Sequence, residues 1–157
     1  AFCLGTPDPA LIEPLIAQLA ELDIAIMTTG PASRPAPPVK KLIEAGIRVC
    51  SGSDGIRDTW GPYGNADMLE RAMLVGLRNN FRRDDEMAMA LDVCTYQGAK
   101  VMDLAGYGLE TGCVADLLLV PGETVAEAIV IRAPARRVIK RGVIVASNGV
   151  SSASAPA

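Results

Sequence analysis

The chain has 157 residues, half of them apolar, a net charge of −3 and no histidine. That length suits one ordinary domain with a real core, and mild acidity without long single-sign runs argues against nucleic acid or a membrane surface as partner. The missing histidine excludes Ser–His and Cys–His catalytic pairs and any histidine metal cage within these residues.

The chain opens Ala1-Phe2-Cys3-Leu4-Gly5, without Met and in what reads as a loop leaving a strand, so the expectation is a piece of a larger protein. Thr6-Pro7-Asp8-Pro9 supplies a helix start, with Asp8 as N-cap and Pro9 at the first helical position. Leu11, Ile12, Leu15, Ile16, Leu19 and Leu22 follow at helical spacing, predicting an amphipathic helix over 9–22 that must accommodate Pro14. Asp23 to Thr28 reads as a short buried parallel strand, Thr29 to Pro38 as a Pro-rich loop, and Pro38 to Ala45 as a helix closed by Gly46.

Ile47 to Cys50 is the second strand, and Ser51-Gly52-Ser53-Asp54-Gly55 ends it with small residues around one carboxylate. Arg57, Asp58, Trp60 and Tyr63 follow among Gly and Pro. A carboxylate at the C-terminal end of a strand, before a loop with an aromatic, is how a (β/α) barrel builds its active face. A turn cap is the other reading of Asp54. Helix, strand, helix, strand with short connections fits a barrel or a doubly wound sheet equally.

A helix is predicted over Ala66–Asn80, then a charged turn at 82–86 in which Asp84 or Asp85 caps the next helix. Met87–Val93 and Thr95–Leu104 read as two further helices, with Thr95 an N-cap and Met73, Met87, Met89 and Met102 as core filler. After Tyr107 the texture becomes strand-like: Gly112–Val120, Ala128–Ile131, Arg137–Lys140 and Val143–Ala146, with Arg141-Gly142 a tight turn. Ser147 to Ala157 reads as a frayed tail. No apolar run approaches the roughly 20 residues of a membrane span, and no signal-peptide pattern occurs. Cys3, Cys50, Cys94 and Cys113 lack CxxC spacing, so free thiols in a reducing cytoplasm are expected.

The run Gly52-Ser53-Asp54, Arg57-Asp58, Trp60, Pro62, Gly64-Asn65, Asp67-Met68 resembles the strand-8 region of the cytosine deaminase branch of the amidohydrolase superfamily, near its triazine-ring members. Thr95-Tyr96-Gln97-Gly98-Ala99-Lys100 is similar to that family's post-barrel helix. Gly112-Cys113-Val114-Ala115-Asp116-Leu117 and Val138-Ile139-Lys140-Arg141-Gly142 are similar to its closing β-sandwich strands. The resemblance implies an α/β chain: the C-terminal part of a (β/α)8 TIM-type barrel over 1–106, the C-terminal strands of a small β-sandwich domain over 107–148, and a disordered tail over 149–157.

It further implies part of a metal-dependent hydrolase that deaminates a cytosine-like or related aminated nitrogen heterocycle through metal-activated water. One divalent metal ion, Zn or Fe, is bound in that family by an HxH pair, a further His and the strand-8 Asp. Only the last maps here, onto Asp54, as metal ligand and catalytic proton shuttle; the remaining ligands are expected upstream of Ala1. Trp60 resembles the family residue that closes the substrate pocket. Where cytosine deaminases of this kind carry a second Asp after the ligand, this chain has Gly55, which points away from cytosine itself towards a related ring. Arg57 and Asp58 are expected to form an ion pair bracing the loop. The implied partners are a small heterocyclic substrate and further copies of the chain in a homo-oligomer. The competing expectation is a non-catalytic structural or interaction module that keeps only the C-terminal part of the fold.

Overall fold

The computed structural model describes residues 2–5, 8–31 and 34–152. Thr6, Pro7, the Cys3 side chain and residues 153–157 of the expected tail lie outside them. Helix α1 (Pro9–Glu21) starts as its sequence dictates: Asp8 accepts a hydrogen bond from the Ala10 N–H at 3.0 Å, and Pro9 fills the first position, where no N–H partner is needed. The helix runs through Pro14 and buries Ile12 and Ile16. Strand β1 (Ile26–Thr28), helix α2 (Val39–Glu44) and strand β2 (Val49–Ser51) make a β-α-β unit. Its strands pair in parallel with Ile26 opposite Val49 and Thr28 opposite Ser51. Helices α3 (Met68–Arg78) and α4 (Asp84–Asp92) pack on each other, with α3 also against β2, and α5 (Tyr96–Val101) follows and packs against β2.

One core cluster gathers Leu4, Ile12, Ile16, Val39, Leu42, Ile47, Val49, Val75, Ala90 and Val93, and a second joins Leu69 and Ala72 of α3 to Ile129. Helix α3 belongs to both, because its apolar residues spread over more than one stripe. Met73 and Met87 pack against the second cluster, but Met102 is largely exposed and fills no core. No helix among the described residues is long and apolar enough to cross a membrane.

Several boundaries differ from the sequence reading. Helix α3 begins at Met68, after Asp67, whose carboxylate accepts from the N–H groups of Leu69 and Glu70. Helix α4 begins at Asp84, so Asp84 and Asp85 lie inside its first turn rather than capping it. The capping carboxylate is Glu86, which accepts from the N–H groups of Arg82 and Arg83 and from Lys40 Nζ. The Arg82 N–H and then the Lys40 ammonium hold Glu86 down to about 2. Thr95 does precede α5, but its hydroxyl donates back to the Leu91 carbonyl of α4 and leaves the α5 N-terminus without a side-chain cap.

The second sheet contains β3 (Leu117–Leu119), β4 (Arg137–Lys140), β5 (Val143–Ser147) and β6 (Val150–Ser151), all antiparallel and in that order. Between β3 and β4 stands helix α6 (Val125–Ile131), where the sequence reading has a strand at 128–131. Thr124 accepts from the Glu127 N–H, and Glu127 returns to the Glu123 N–H, so local capping overrides the β-branched composition. Arg141 and Gly142 both take positive φ, as a two-residue hairpin demands. Asn148 and Gly149 do the same, and the chain pairs again as β6 where a tail from 149 is expected.

The two sheets are tied together by Arg136. Its Nη1 donates to both carboxylate oxygens of Asp67 at 2.8–2.9 Å, Nε donates to the Ala133 carbonyl, and Nη2 to the Arg132 carbonyl at the end of α6. Both partners are mostly buried. Burial alone pushes the Asp67 carboxyl upward, but the Arg136 hydrogen bonds and charge, with the N–H groups of Glu70 and Leu69, outweigh it and hold the group below its usual range. Arg136→Met strands a half-buried carboxylate and is expected to cost about 2–3 kcal/mol at pH 7 by thermal or urea unfolding. A folded value below the ordinary 3.8 means this contribution is complete above roughly pH 5 and is lost as pH falls through the folded value. The stability gap between wild type and Arg136→Met therefore closes in acid, and a gap that persists unchanged at pH 2 contradicts the assignment.

Candidate active-site cleft

Strands β1 and β2 end side by side. The Ser51 hydroxyl donates to the Thr28 carbonyl at 2.8 Å, and the Gly52 N–H reaches the same oxygen at 3.3 Å. Thr28 is buried, and its own hydroxyl oxygen accepts from the Gly30 N–H, so the strand ends form a closed polar floor. Directly beyond them the chain leaves an open cleft of about 380 Å³, lined by Thr29, Asp54, Gly55, Asp58, Trp60 and Arg71 among others. This is the position, past the carboxyl ends of parallel strands, at which α/β folds place ligands.

Asp54 sits at the cleft mouth with φ 63°, a left-handed backbone that Asp tolerates better than most side chains. It is exposed and accepts no hydrogen bond from the described residues, so it is not a turn cap. The cap is Asp58. Its Oδ1 accepts from the N–H groups of Trp60 at 2.9 Å and Gly61 at 3.2 Å, and Arg57 N–H donates to the Tyr63 carbonyl across the base of the same small hairpin. The expected Arg57–Asp58 ion pair does not form among the described residues. An Asp three residues ahead of a hairpin-closing Gly61 is a turn signature that the sequence carries. Trp60, at the hairpin tip, is 97% exposed and packs on nothing; Tyr63 is similarly open.

The opposite wall contains a residue that sequence reasoning missed. Arg71, one turn into α3, donates through Nη1 to the Thr29 carbonyl, while its Nε is buried without a hydrogen-bond partner. No local signal marks it, because it reaches the cleft only once α3 packs across the strand ends. Behind the floor, burial pushes the Cys94 thiol up to about 11 against the opposing influence of Ser51 and Arg71, and burial raises Cys50 as well. Both stay protonated at neutral pH and are unsuited to nucleophilic work.

The described residues contain no group of three or more Asp, Glu or Cys side chains placed to hold a metal ion. Asp54 is one exposed carboxylate and Asp58 is engaged by its turn, so this donor set does not by itself make a metal centre.

Comparison with known proteins places these features in a family. The amidohydrolase family matches residues 3–146. N-isopropylammelide isopropyl amidohydrolase of Pseudomonas sp. (strain ADP) is 30% identical over 151 residues, covering 96% of this chain and 38% of that protein. The crystal structure of N-isopropylammelide isopropylaminohydrolase from Burkholderia multivorans ATCC 17616 superposes with a TM-score of 0.89 at 47% identity, over 96% of this chain and 38% of that one. 5-Methylcytosine deaminase from Klebsiella pneumoniae, liganded with 5-fluorocytosine, gives 0.79 at 25% identity over 98% of this chain and 40% of that one. The chain thus spans about two fifths of the length of these relatives. With no group of three or more ligating side chains among the described residues, the 157-residue chain on its own is expected to retain no stoichiometric zinc or iron after equilibrium dialysis. Retention of one tightly held ion per chain contradicts this reading of the donor set.

Proposed function

The chain belongs to the amidohydrolase family, and from that premise we propose that it forms part of a hydrolase that removes an amino or alkylamino substituent from a nitrogen heterocycle. The observation that carries the proposal is the place of Asp54: an unpartnered carboxylate on a left-handed backbone, at the mouth of the cleft beyond β1 and β2. The relatives' names supply the substrate class, since one acts on N-isopropylammelide and another deaminates 5-methylcytosine. In this reading β1 and β2 are the last strands of a (β/α) barrel and β3–β6 belong to its companion β-sandwich. Family members generally use a divalent metal. The proposal assigns Asp54 as this chain's ligand to it, Zn or Fe, with the other ligands drawn from beyond the described residues.

The chemistry is C–N bond hydrolysis. A water oxygen attacks the ring carbon that bears the amino group, and Asp54 takes the proton that the water gives up. The same carboxyl returns that proton to the substituent nitrogen as the C–N bond breaks. The amine leaves, the remaining hydroxyl proton passes to the adjacent ring nitrogen, and the ring carbon keeps the oxygen as a carbonyl. Trp60 offers an open aromatic face that suits a planar ring.

The test is amine release from N-isopropylammelide and from 5-methylcytosine by the native enzyme. Asp54→Asn keeps the size and the tolerance for a left-handed backbone but loses the base. We expect turnover to fall by about 100-fold or more with an unchanged melting temperature, because Asp54 is exposed and accepts no hydrogen bond from the described residues. Near-full activity in this variant excludes Asp54 as the proton shuttle. Trp60→Ala is expected to raise KM between about 5- and 150-fold, the range of one ring–aromatic stack, with little effect on folding. An unaltered KM removes Trp60 from the pocket.

A further inference from the structure

Asp58 uses only half of its carboxylate on its own turn. Oδ1 accepts both the Trp60 and Gly61 N–H groups, while Oδ2 accepts nothing from the described residues. Oδ2 lies where a side chain at position 55 would start: a Cβ built on Gly55 overlaps it far inside van der Waals contact. Gly55 and Asp58 both line the cleft that holds Asp54. Gly64 closes the arrangement from behind, since a Cβ there would come within 2.7 Å of the Gly55 carbonyl oxygen. The two glycines therefore let the hairpin fold down onto the loop, and the space left by the missing side chain at 55 is filled by a carboxylate oxygen from three residues later.

The geometry points to Asp58 as a specificity-determining residue, whose Oδ2 accepts a hydrogen bond from a ring N–H of the heterocycle while Oδ1 holds the hairpin that carries Trp60. This rests on the function proposed above and narrows its substrate class. The ring must carry at least one N–H besides the substituent that is hydrolysed, as oxo-substituted triazines and pyrimidines do and fully N-alkylated rings do not. A carboxylate oxygen fixed by its neighbour's bonds to the backbone is already oriented for that bond, so little ordering is needed when the ring arrives. A site that bonds an N–H discriminates against an analogue lacking it, because the ring then covers the acceptor and leaves it unpaired.

Two variants separate this role from a merely structural one. Asp58→Asn retains an oxygen for the turn and replaces the free acceptor with a donor. Gly55→Ala leaves Asp58 in place but pushes Oδ2 aside; position 55 has no left-handed backbone to forbid Ala, and the atom in the way is the mobile end of a side chain. The probes are an isopropylamino-dioxotriazine with a free ring N–H and its ring-N-methylated derivative, assayed on the native enzyme. For the N–H probe we expect both variants to raise KM about 10- to 100-fold while kcat changes no more than about 3-fold. For the N-methylated probe, which wild type already binds poorly, neither variant should raise KM further. Equal losses on both probes, or no loss on the N–H probe, overturn the assignment and leave Asp58 as a turn cap. If wild type itself releases no amine from the N–H probe, the proposed function falls and this inference with it; an active wild type with indifferent variants sinks the inference alone.

Discussion

The Asp67–Arg136 pair is the constraint on which the rest of the arrangement hangs. Asp67 caps α3 and Arg136 caps the end of α6, so one bidentate contact ends two helices and joins segments 69 residues apart in sequence. A charged N-cap satisfies otherwise orphaned N–H groups, and a guanidinium across the last carbonyls complements the opposite end of a helix. Because both functions meet in one ion pair, α3 cannot slide along its axis without breaking the packing of α6 against it. Arg71 lies four residues beyond Asp67, one helical turn, so the same pair sets where its guanidinium meets the Thr29 carbonyl in the cleft wall. The antiparallel sheet thereby positions a residue of a cleft that it does not touch.

Elements governed by local chemistry were legible in the sequence. Asp8 and Pro9 announce α1, Gly46 ends α2, and Arg141-Gly142 marks the β4–β5 hairpin. The mixed α/β character follows from such elements, and the family from the runs around Asp54, Thr95, Asp116 and Arg141. The errors have physical reasons of two kinds. At α6, the run Ala128 to Ile131 reads as a strand from its β-branched residues, although the reciprocal cap of Thr124 and Glu127 is the stronger local signal. At β6, the small residues of the terminal segment concealed Asn148-Gly149, the most hairpin-prone dipeptide in the chain. Thr95 illustrates the second kind. Its position before α5 was right, but tertiary context placed the Leu91 carbonyl within reach of the hydroxyl, and no single-sequence pattern reveals that competition.

The cleft divides along the same line. Asp54 stands out in the sequence as the one acid among the small residues that follow β2, and among the described residues it accepts no hydrogen bond that would make it a turn cap. Asp58 was misassigned to Arg57 because adjacent opposite charges suggest an ion pair. The turn instead brings the backbone N–H groups of Trp60 and Gly61 within hydrogen-bond reach of Asp58 Oδ1. Arg71 could not be read at all, since its arrival at the strand ends depends on helix packing rather than on any motif.

What separates this loop from an ordinary connection is where it tolerates conformational cost. Asp54, Arg57 and Ala66 all take left-handed backbones within one connection, each roughly 1–2 kcal/mol above an ordinary conformation for a residue with a Cβ. Three such residues persist only where surrounding bonds over-determine the path. Here those bonds are the Ser51 and Gly52 contacts to Thr28 at one end and the Asp67 cap at the other. Between these anchors the hairpin is held by Asp58 Oδ1 and the Arg57–Tyr63 backbone bond, and among the described residues Asp54, Trp60, Tyr63 and the second oxygen of Asp58 stay open. The backbone is therefore specified by bonds made elsewhere, while the groups with chemistry to offer keep their valences open towards the cleft. A loop that spent both carboxylates in full and packed its aromatic inward would leave no group open to the cleft.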